Sequence, residues 1–329
     1  MSKYLVTGVA GFIAARVAQM LLEDGHSVTG IDNLNDAYDV RMKEYRLKRL
    51  RSQPGFLFLP RDISDRTALQ DNFGLKETIS QPVDAVLNLA ARAGVRQSVE
   101  NPWVYFDTNV TGTLNLLELC RKLEIPKFIL ASTSSIYGAD APLPTPEEAS
   151  SDRPLNPYSA SKKAAEALCH AYHFLYDIDV TIFRYFTVYG PAGRPDMSMF
   201  RFTQWISEDR PLRLNGDGEQ SRGFTYVDDI ARGTILGLKP LGFEIINLGG
   251  HESIKMNDLI GMLEELIGKK AQIERHPAHP ADMLASWADV RKAEHLLNWE
   301  PQVSLVEGVG NLIKWYNAER NWADQIETS

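Results

Sequence analysis

Cysteine is scarce in this chain: Cys120 and Cys169 are the only two in 329 residues. Both fall in helical patterns without Cys-x-x-Cys or metal-ligand spacing. That excludes a disulfide framework and leaves buried free thiols in a reducing cytoplasm as the expectation. No apolar run approaches the ~20 residues that a membrane-spanning helix needs. The first residues, Met1 to Gly8, lack a charged segment followed by an apolar one, so neither a secretory leader nor a membrane location is expected. A block of basic residues is missing too. The formal net charge is −8, which argues against nucleic acid and anionic membranes as partners but leaves room for an anionic small molecule held by a few arginines. There is no internal repeat, no low-complexity tract and no metal-binding cluster.

What the chain does have is alternation. Strand-like runs at Tyr4–Thr7, Ser27–Ile31, Phe56–Leu59, Ala85–Leu89, Lys127–Ser132 and Val180–Arg184 are separated by helical patterns. In Phe12–Asp24, the residues Phe12, Ile13, Val17, Leu21 and Leu22 share one helical face, and Asn109–Lys122 and Ser159–Tyr176 are built alike. This rhythm predicts an α/β fold, a doubly wound parallel sheet of Rossmann type with helices on both faces. Val227–Leu238 and Phe243–Leu248 read as a last helix and strand returning to that sheet, and the Pro-rich stretch Ala141–Pro157 as a loop. Gly190–Arg194 is turn-like, Met197–Glu208 helical, and Arg213–Asn215 a short strand. Lys255–Ile267 and Val290–Leu297 are helical again. The expected division is a dinucleotide-binding domain of residues 1–186 with 227–250, and a smaller C-terminal α/β substrate-binding domain of 187–226 with 251–329. The smaller part is expected to cap the carboxyl ends of the strands, where open α/β folds bind ligands.

Tyr158 and Lys162 stand four residues apart in Asn-Pro-Tyr-Ser-Ala-Ser-Lys, on one face of a helix. A free phenol, with a pKa of about 10, is a poor base at neutral pH, and a cation one turn away favours the phenolate. Such a pair can take a hydroxyl proton while a nicotinamide takes a hydride, although the same spacing also occurs on solvated helix edges. Thr7-Gly8-Val-Ala-Gly11-Phe12-Ile13-Ala14 follows the first strand and opens the first helix, the context in which two glycines admit a pyrophosphate. Asp32 ends the second strand, where a carboxylate binds a ribose diol and disfavours a 2′-phosphate, favouring NAD. Asp62 and Ile63 are placed to hold the adenine, and the small Leu89-Ala90-Ala91 segment to let a ring approach. Hydroxyls cluster at Ser132, Thr133, Ser134 and Ser135 after the fifth strand, although polar strand ends also simply cap helices.

In this order, the glycine turn, Asp32, the hydroxyl cluster and the Tyr158/Lys162 pair resemble the extended short-chain dehydrogenase/reductase family. The Asn109-Val-Thr-Gly112-Thr113, Arg184-Tyr185-Phe186 and Phe224-Thr-Tyr-Val-Asp228-Asp229 blocks resemble it as well. The resemblance implies that Tyr158 is the general base and acid at a sugar 4-hydroxyl. Thr133 would share that hydroxyl, and Lys162 would bind the nicotinamide ribose. It adds Asn33, Asn109 and Tyr185 to the cofactor residues. Dehydratases of the nucleotide-sugar branch carry Asp-Glu after this threonine. Ser134 and Ser135 have no carboxyl proton to give, which removes the acid needed for C5–C6 elimination.

The run from Arg184 to Met197, with Thr187 and Gly193-Arg194-Pro195-Asp196-Met197, is similar to the uronate-specific 4-epimerases, which interconvert UDP-glucuronate and UDP-galacturonate. A C6 carboxylate calls for a guanidinium and hydroxyl donors. Arg194, Thr187 and Ser134 can supply them, although an arginine after Gly193 can also be a plain turn residue. Arg96, Arg222 and Asp282 complete the implied substrate contacts. Some positions depart from the family pattern: Ala14, Arg92, and the His279-Pro-Ala281-Asp282 run. Asn247 matches no functional position. A uronate oxidised at C4 is a β-keto acid, so UDP-glucuronate decarboxylation remains open. A UDP-glucose or UDP-N-acetylglucosamine 4-epimerase and a non-catalytic NAD-binding protein remain open too. The resemblance further implies a homodimer through the two helical segments carrying Leu114, Leu117, Ala167 and Ala171.

Overall fold

The computed structural model describes residues 1–68, 71, 82–250, 253–278 and 284–328. Its main sheet contains β1 (Lys3–Thr7), β2 (Ser27–Asp32), β3 (Phe56–Pro60), β4 (Ala85–Asn88), β5 (Lys127–Thr133), β6 (Asp179–Tyr185) and β10 (Phe243–Leu248). The seven strands are all parallel, in the order β10-β6-β5-β4-β1-β2-β3. A parallel sheet needs cover on both faces, so its strands are apolar nearly throughout. In β5, Phe128 and Leu130 point into one core, while Ile129 and Ala131 point into the other.

Helices α1 (Phe12–Glu23), α2 (Val40–Arg51), α3 (Gly112–Leu123), α4 (Pro157–Tyr176), α5 (Ser198–Ser207) and α6 (Val227–Leu236) follow in chain order. The core on one sheet face takes Val17 and Leu21 of α1, Ile230 of α6 and the buried Trp299. The other takes Leu116, Leu117 and Cys120 of α3 with Ala165 and Cys169 of α4. Both cysteines are free and buried, as their sequence context predicts. Leu117 is fully buried against the chain's own sheet and is therefore not a surface contact. Ala167 and Ala171 of α4 are exposed.

Strand order reverses on either side of β1, which opens a crevice above the carboxyl ends of β1 and β4. Over it stands a second layer. β9 (Ser221–Tyr226) pairs in parallel with β7 (Thr187–Tyr189) and β13 (Ala285–Ser286), and antiparallel with β11 (Ser253–Lys255). A small parallel pair joins β8 (Pro211–Asn215) to β12 (Gln272–His276). β7, β8, β9 and β11 share a separate apolar core with α5, α7 (Met256–Ile267) and α9 (Leu305–Ala318), while α8 (Arg291–Leu297) packs on β10.

Buried Arg46 on α2 ties the layers together. Its guanidinium donates to the Ala192 and Gly193 carbonyls on one side, and to the Ala10 carbonyl and the Tyr38 hydroxyl on the other. The Pro-rich loop is also pinned. Asn247 donates through Nδ2 to the Thr145 carbonyl, and its Oδ1 accepts from the Tyr137 hydroxyl.

Candidate active site

The turn after β1 is set by Gly8, at φ +67°, where a Cβ would lie 2.7 Å from Ala90 Cα. Gly11 N–H donates back to the Gly8 carbonyl at 2.7 Å, and α1 starts at the next residue. The start of α1 thus faces the crevice with no side chain over the turn, the arrangement that accepts a pyrophosphate. Asp32 is buried at the end of β2. Its Oδ2 accepts from Ala10 N–H at 3.1 Å and its Oδ1 from Leu34 N–H at 2.8 Å. Each oxygen keeps a further lone pair for a ribose hydroxyl. Asn33 Nδ2 donates to Asp62, which also accepts from Ser64. Lys43 is buried beside them, bonded to Asn35, and burial lowers its pKa against the pull of Asp32.

Helix α4 begins where its residues dictate. Asn156 caps it, accepting from Ser159 N–H at 2.9 Å, and Pro157 occupies the first turn, where its missing N–H costs nothing. Tyr158 then faces the end of β5, beside Thr133. Lys162 lies one turn deeper, its Nζ donating to the Ala131 carbonyl at 2.8 Å. Burial lowers the Lys162 pKa to about 8, with Glu166 opposing the shift. Glu166 is itself buried, accepting from Ser132 Oγ at 2.6 Å and bidentately from Arg184.

Burial raises the Tyr158 pKa, and the groups working to lower it are the Thr133 hydroxyl and the Arg194 guanidinium. The Lys162 ammonium meanwhile donates to the Ala131 carbonyl on the strand.

A cavity of about 500 Å³ runs from Asp32 past the glycine turn to Tyr158 and on to Arg194. It is lined by Gly8, Gly11, Phe12, Ile13, Asp32, Asn33, Asp62, Ile63, Leu89, Ala90, Ala91 and Tyr185 of the expected cofactor residues. Thr133, Ser134, Ser135, Tyr158, Lys162, Thr187, Arg96 and Arg194 line it as well. The donor set fits a dinucleotide: a carboxylate at one end, a helix start in the middle, and small side chains where a ring must lie close.

Asn109 and Arg222 are not among the lining residues. Asn109 is buried in a π-helical turn, where it accepts from Arg92 N–H and donates to the Arg92 carbonyl and Ser161 Oγ. It shapes the loop after β4 from behind. Arg222 lies on β9, with Nη1 donating to the Ser221 carbonyl. Asp282 and His279 fall outside the described residues.

The sequence reading did not anticipate Tyr38, Lys43, Asp196 or Arg201, which also line the cavity. Asp196 binds Arg194 in a fork, Nε to Oδ1 at 3.0 Å and Nη2 to Oδ2 at 2.5 Å. Burial lowers the Arg194 pKa and raises that of Asp196, but their pairing outweighs burial and moves both the opposite way.

The model of the NAD dependent epimerase/dehydratase family matches residues 4–249. The UDP-glucuronate 4-epimerase of Thermodesulfobacterium geofontis is 56% identical over 316 residues, which cover 96% of each chain. Among solved structures, UDP-glucuronic acid 4-epimerase from Bacillus cereus in complex with UDP-glucuronic acid and NAD superposes with a TM-score of 0.89 at 38% identity. That alignment covers 96% of this chain and 99% of the other. UDP-glucose 4-epimerase of Thermotoga maritima with UDP-glucose superposes with a TM-score of 0.87 at 31% identity, covering 97% and 99%.

Proposed function

The chain belongs to the NAD dependent epimerase/dehydratase family, and from that premise we infer that it is an NAD-dependent enzyme inverting C4 of a UDP-hexuronic acid, UDP-glucuronate to UDP-galacturonate and back. The observation that carries this reading is that Thr133, Tyr158, Thr187 and Arg194 line one cavity together. NAD, when bound, would supply a reversible hydride acceptor for C4 and, in its oxidised form, positive charge beside Tyr158.

Tyr158 takes the C4 hydroxyl proton as general base and gives it back as general acid. Thr133 shares that oxygen and orients it. Arg194 and Thr133 favour the phenolate against burial, while Lys162 holds the ribose on the nicotinamide side. Asp32 with Asn33 holds the other ribose, Asp62 and Ile63 the adenine, and Gly8, Gly11, Phe12 and Ile13 the pyrophosphate. Thr187, Ser134, Ser135 and Arg194 receive the C6 carboxylate and the sugar hydroxyls, and Arg96, Arg222 and Asp282 the nucleotide end. The cofactor then belongs to residues 1–186 with 227–250, and the sugar nucleotide to 187–226 with 251–329. Ser134 and Ser135 supply no acid for eliminating a C6 group, so return of the hydride to the turned sugar is the remaining course.

A homodimer in the cytoplasm is part of the same reading. Two buried free thiols support a reducing compartment. The exposed Ala167 and Ala171 of α4 continue into Phe174 and Leu175, which are 80% and 62% exposed, and such a face suits a second copy. The sugar assignment is tested by Arg194→Ala. Losing a charge-assisted fork, worth about 1.5–3 kcal/mol, lowers kcat/KM for UDP-glucuronate roughly 10- to 100-fold. An unchanged kcat/KM would place the carboxylate elsewhere.

A further inference from the structure

Arg194 does not wait for a substrate as a bare cation. Asp196, two residues on, takes its Nε–H and one Nη2–H side-on, with both side chains a quarter exposed or less. A guanidinium carries five N–H donors, so three remain, including the whole end-on edge formed by Nη1 and Nη2. Both residues line the cavity that holds Tyr158 and Thr133, and Arg201 contributes another guanidinium to the same wall, acting on Asp196. A carboxylate arriving at the free edge therefore meets a cation whose charge is already half-spoken for by a second carboxylate.

C4 epimerisation makes a particular demand on such a site. The sugar must be held while its hydroxyl is oxidised, then turn so that the hydride returns to the opposite face. A grip that is tight before the turn and must be released during it lowers KM but slows kcat.

We propose that Asp196 is a positioning residue that fixes the plane of Arg194 and weakens its grip on the substrate C6 carboxylate enough for the oxidised sugar to turn, an inference that rests on the C4-epimerase reading above. Asp196 thereby trades affinity for turnover. Substrates without a C6 carboxylate feel little of it.

The test combines Asp196→Asn and Asp196→Glu in the full-length protein loaded with NAD. Calorimetry on a Tyr158→Phe background, which cannot react, reads binding alone. The expected result for Asp196→Asn is UDP-glucuronate bound about three- to tenfold more tightly, with UDP-glucose affinity unchanged, which also shows that the variant is folded. With Tyr158 intact, KM and kcat both fall, kcat about tenfold, and the near-ultraviolet absorbance of the reduced cofactor rises in the steady state as unturned sugar accumulates. Asp196→Glu, which keeps the charge, restores most of kcat. If Asp196→Asn instead binds UDP-glucuronate more weakly, raises KM and traps no reduced cofactor, the residue merely props Arg194 and the proposal fails. Should the wild-type enzyme not turn over UDP-glucuronate at all, the epimerase reading falls and takes the proposal with it.

Discussion

Tyr158 keeps its proton more firmly than a free phenol does, because it is buried, and the chain answers with Thr133 and Arg194 close to its hydroxyl. Lys162 has the opposite problem. Burial lowers its pKa from 10.5 to about 8, so an ammonium at neutral pH costs the fold free energy, which Glu166 offsets only in part. The sign follows from proton binding. Between about pH 8 and 10.5 the unfolded chain holds this proton and the folded chain does not, so stability rises with pH across that window. Below it, both states are charged and the full cost remains. Lys162→Met is therefore expected to melt a few degrees above wild type at neutral pH while losing turnover. The stability gain shrinks as the pH climbs past 8. Thermal melts at a series of pH values check this, and a variant that is less stable throughout would show that the ammonium contributes more than it costs. The placement of Tyr158 and Lys162 on one helix facing the cavity was legible in the sequence, because spacing of four on a helix survives folding. The Arg194–Asp196 fork was not, since a contact between residues two apart depends on the turn geometry at Gly193 and Pro195. The buried Lys43 also escaped notice, because nothing in a charged helix marks which lysine turns inward.

At the scale of elements, the main sheet could be read almost residue by residue because its strands are buried on both faces and leave continuous apolar runs. The ends differ by one residue at most: β5 continues through Thr133 and β2 through Asp32. Helix α2 was missed for a physical reason. Val40–Arg51 is rich in lysine and arginine, and its buried set includes Lys43 and Arg46, so its inward face does not look apolar. The second sheet was missed as well, as β7 and β11 have three residues each and β13 has two, too short for a period to show. Asn247 resembled nothing in sequence because its task is local. It links β10 to the loop that delivers α4. The β1–α1 turn is the element on which cofactor binding depends most. Gly8→Ala places a Cβ 2.7 Å from Ala90 Cα at a φ of +67°, with both strand ends fixed in the sheet. The expected outcome is loss of bound NAD, read from absorbance and calorimetry, together with a lower melting temperature. Retention of wild-type affinity would mean that the turn relaxes without cost.

At the scale of the whole molecule, two layers meet over one cavity, one bringing the glycine turn and Tyr158, the other Thr187 and Arg194. Arg46 reaches both, so binding at either end of the cavity acts on a tied structure. With Leu117 committed to the core, the proposed dimer contact rests on α4. The exposed Trp103 and Val99 extend the apolar surface of the chain beyond it. Light scattering at micromolar concentration is expected to give twice the 36.9 kDa chain mass, and Phe174→Glu to halve it. A wild-type protein that scatters as a single chain would reject the dimer. The claim on which the rest depends is chemical: the oxidised uronate turns and is reduced again before it loses carbon dioxide. It is tested most directly by following UDP-glucuronate and NAD with the purified protein by NMR over time. UDP-galacturonate growing to a steady ratio, without a pentose signal, is the predicted result. A UDP-pentose or a persistent 4-keto sugar would contradict it.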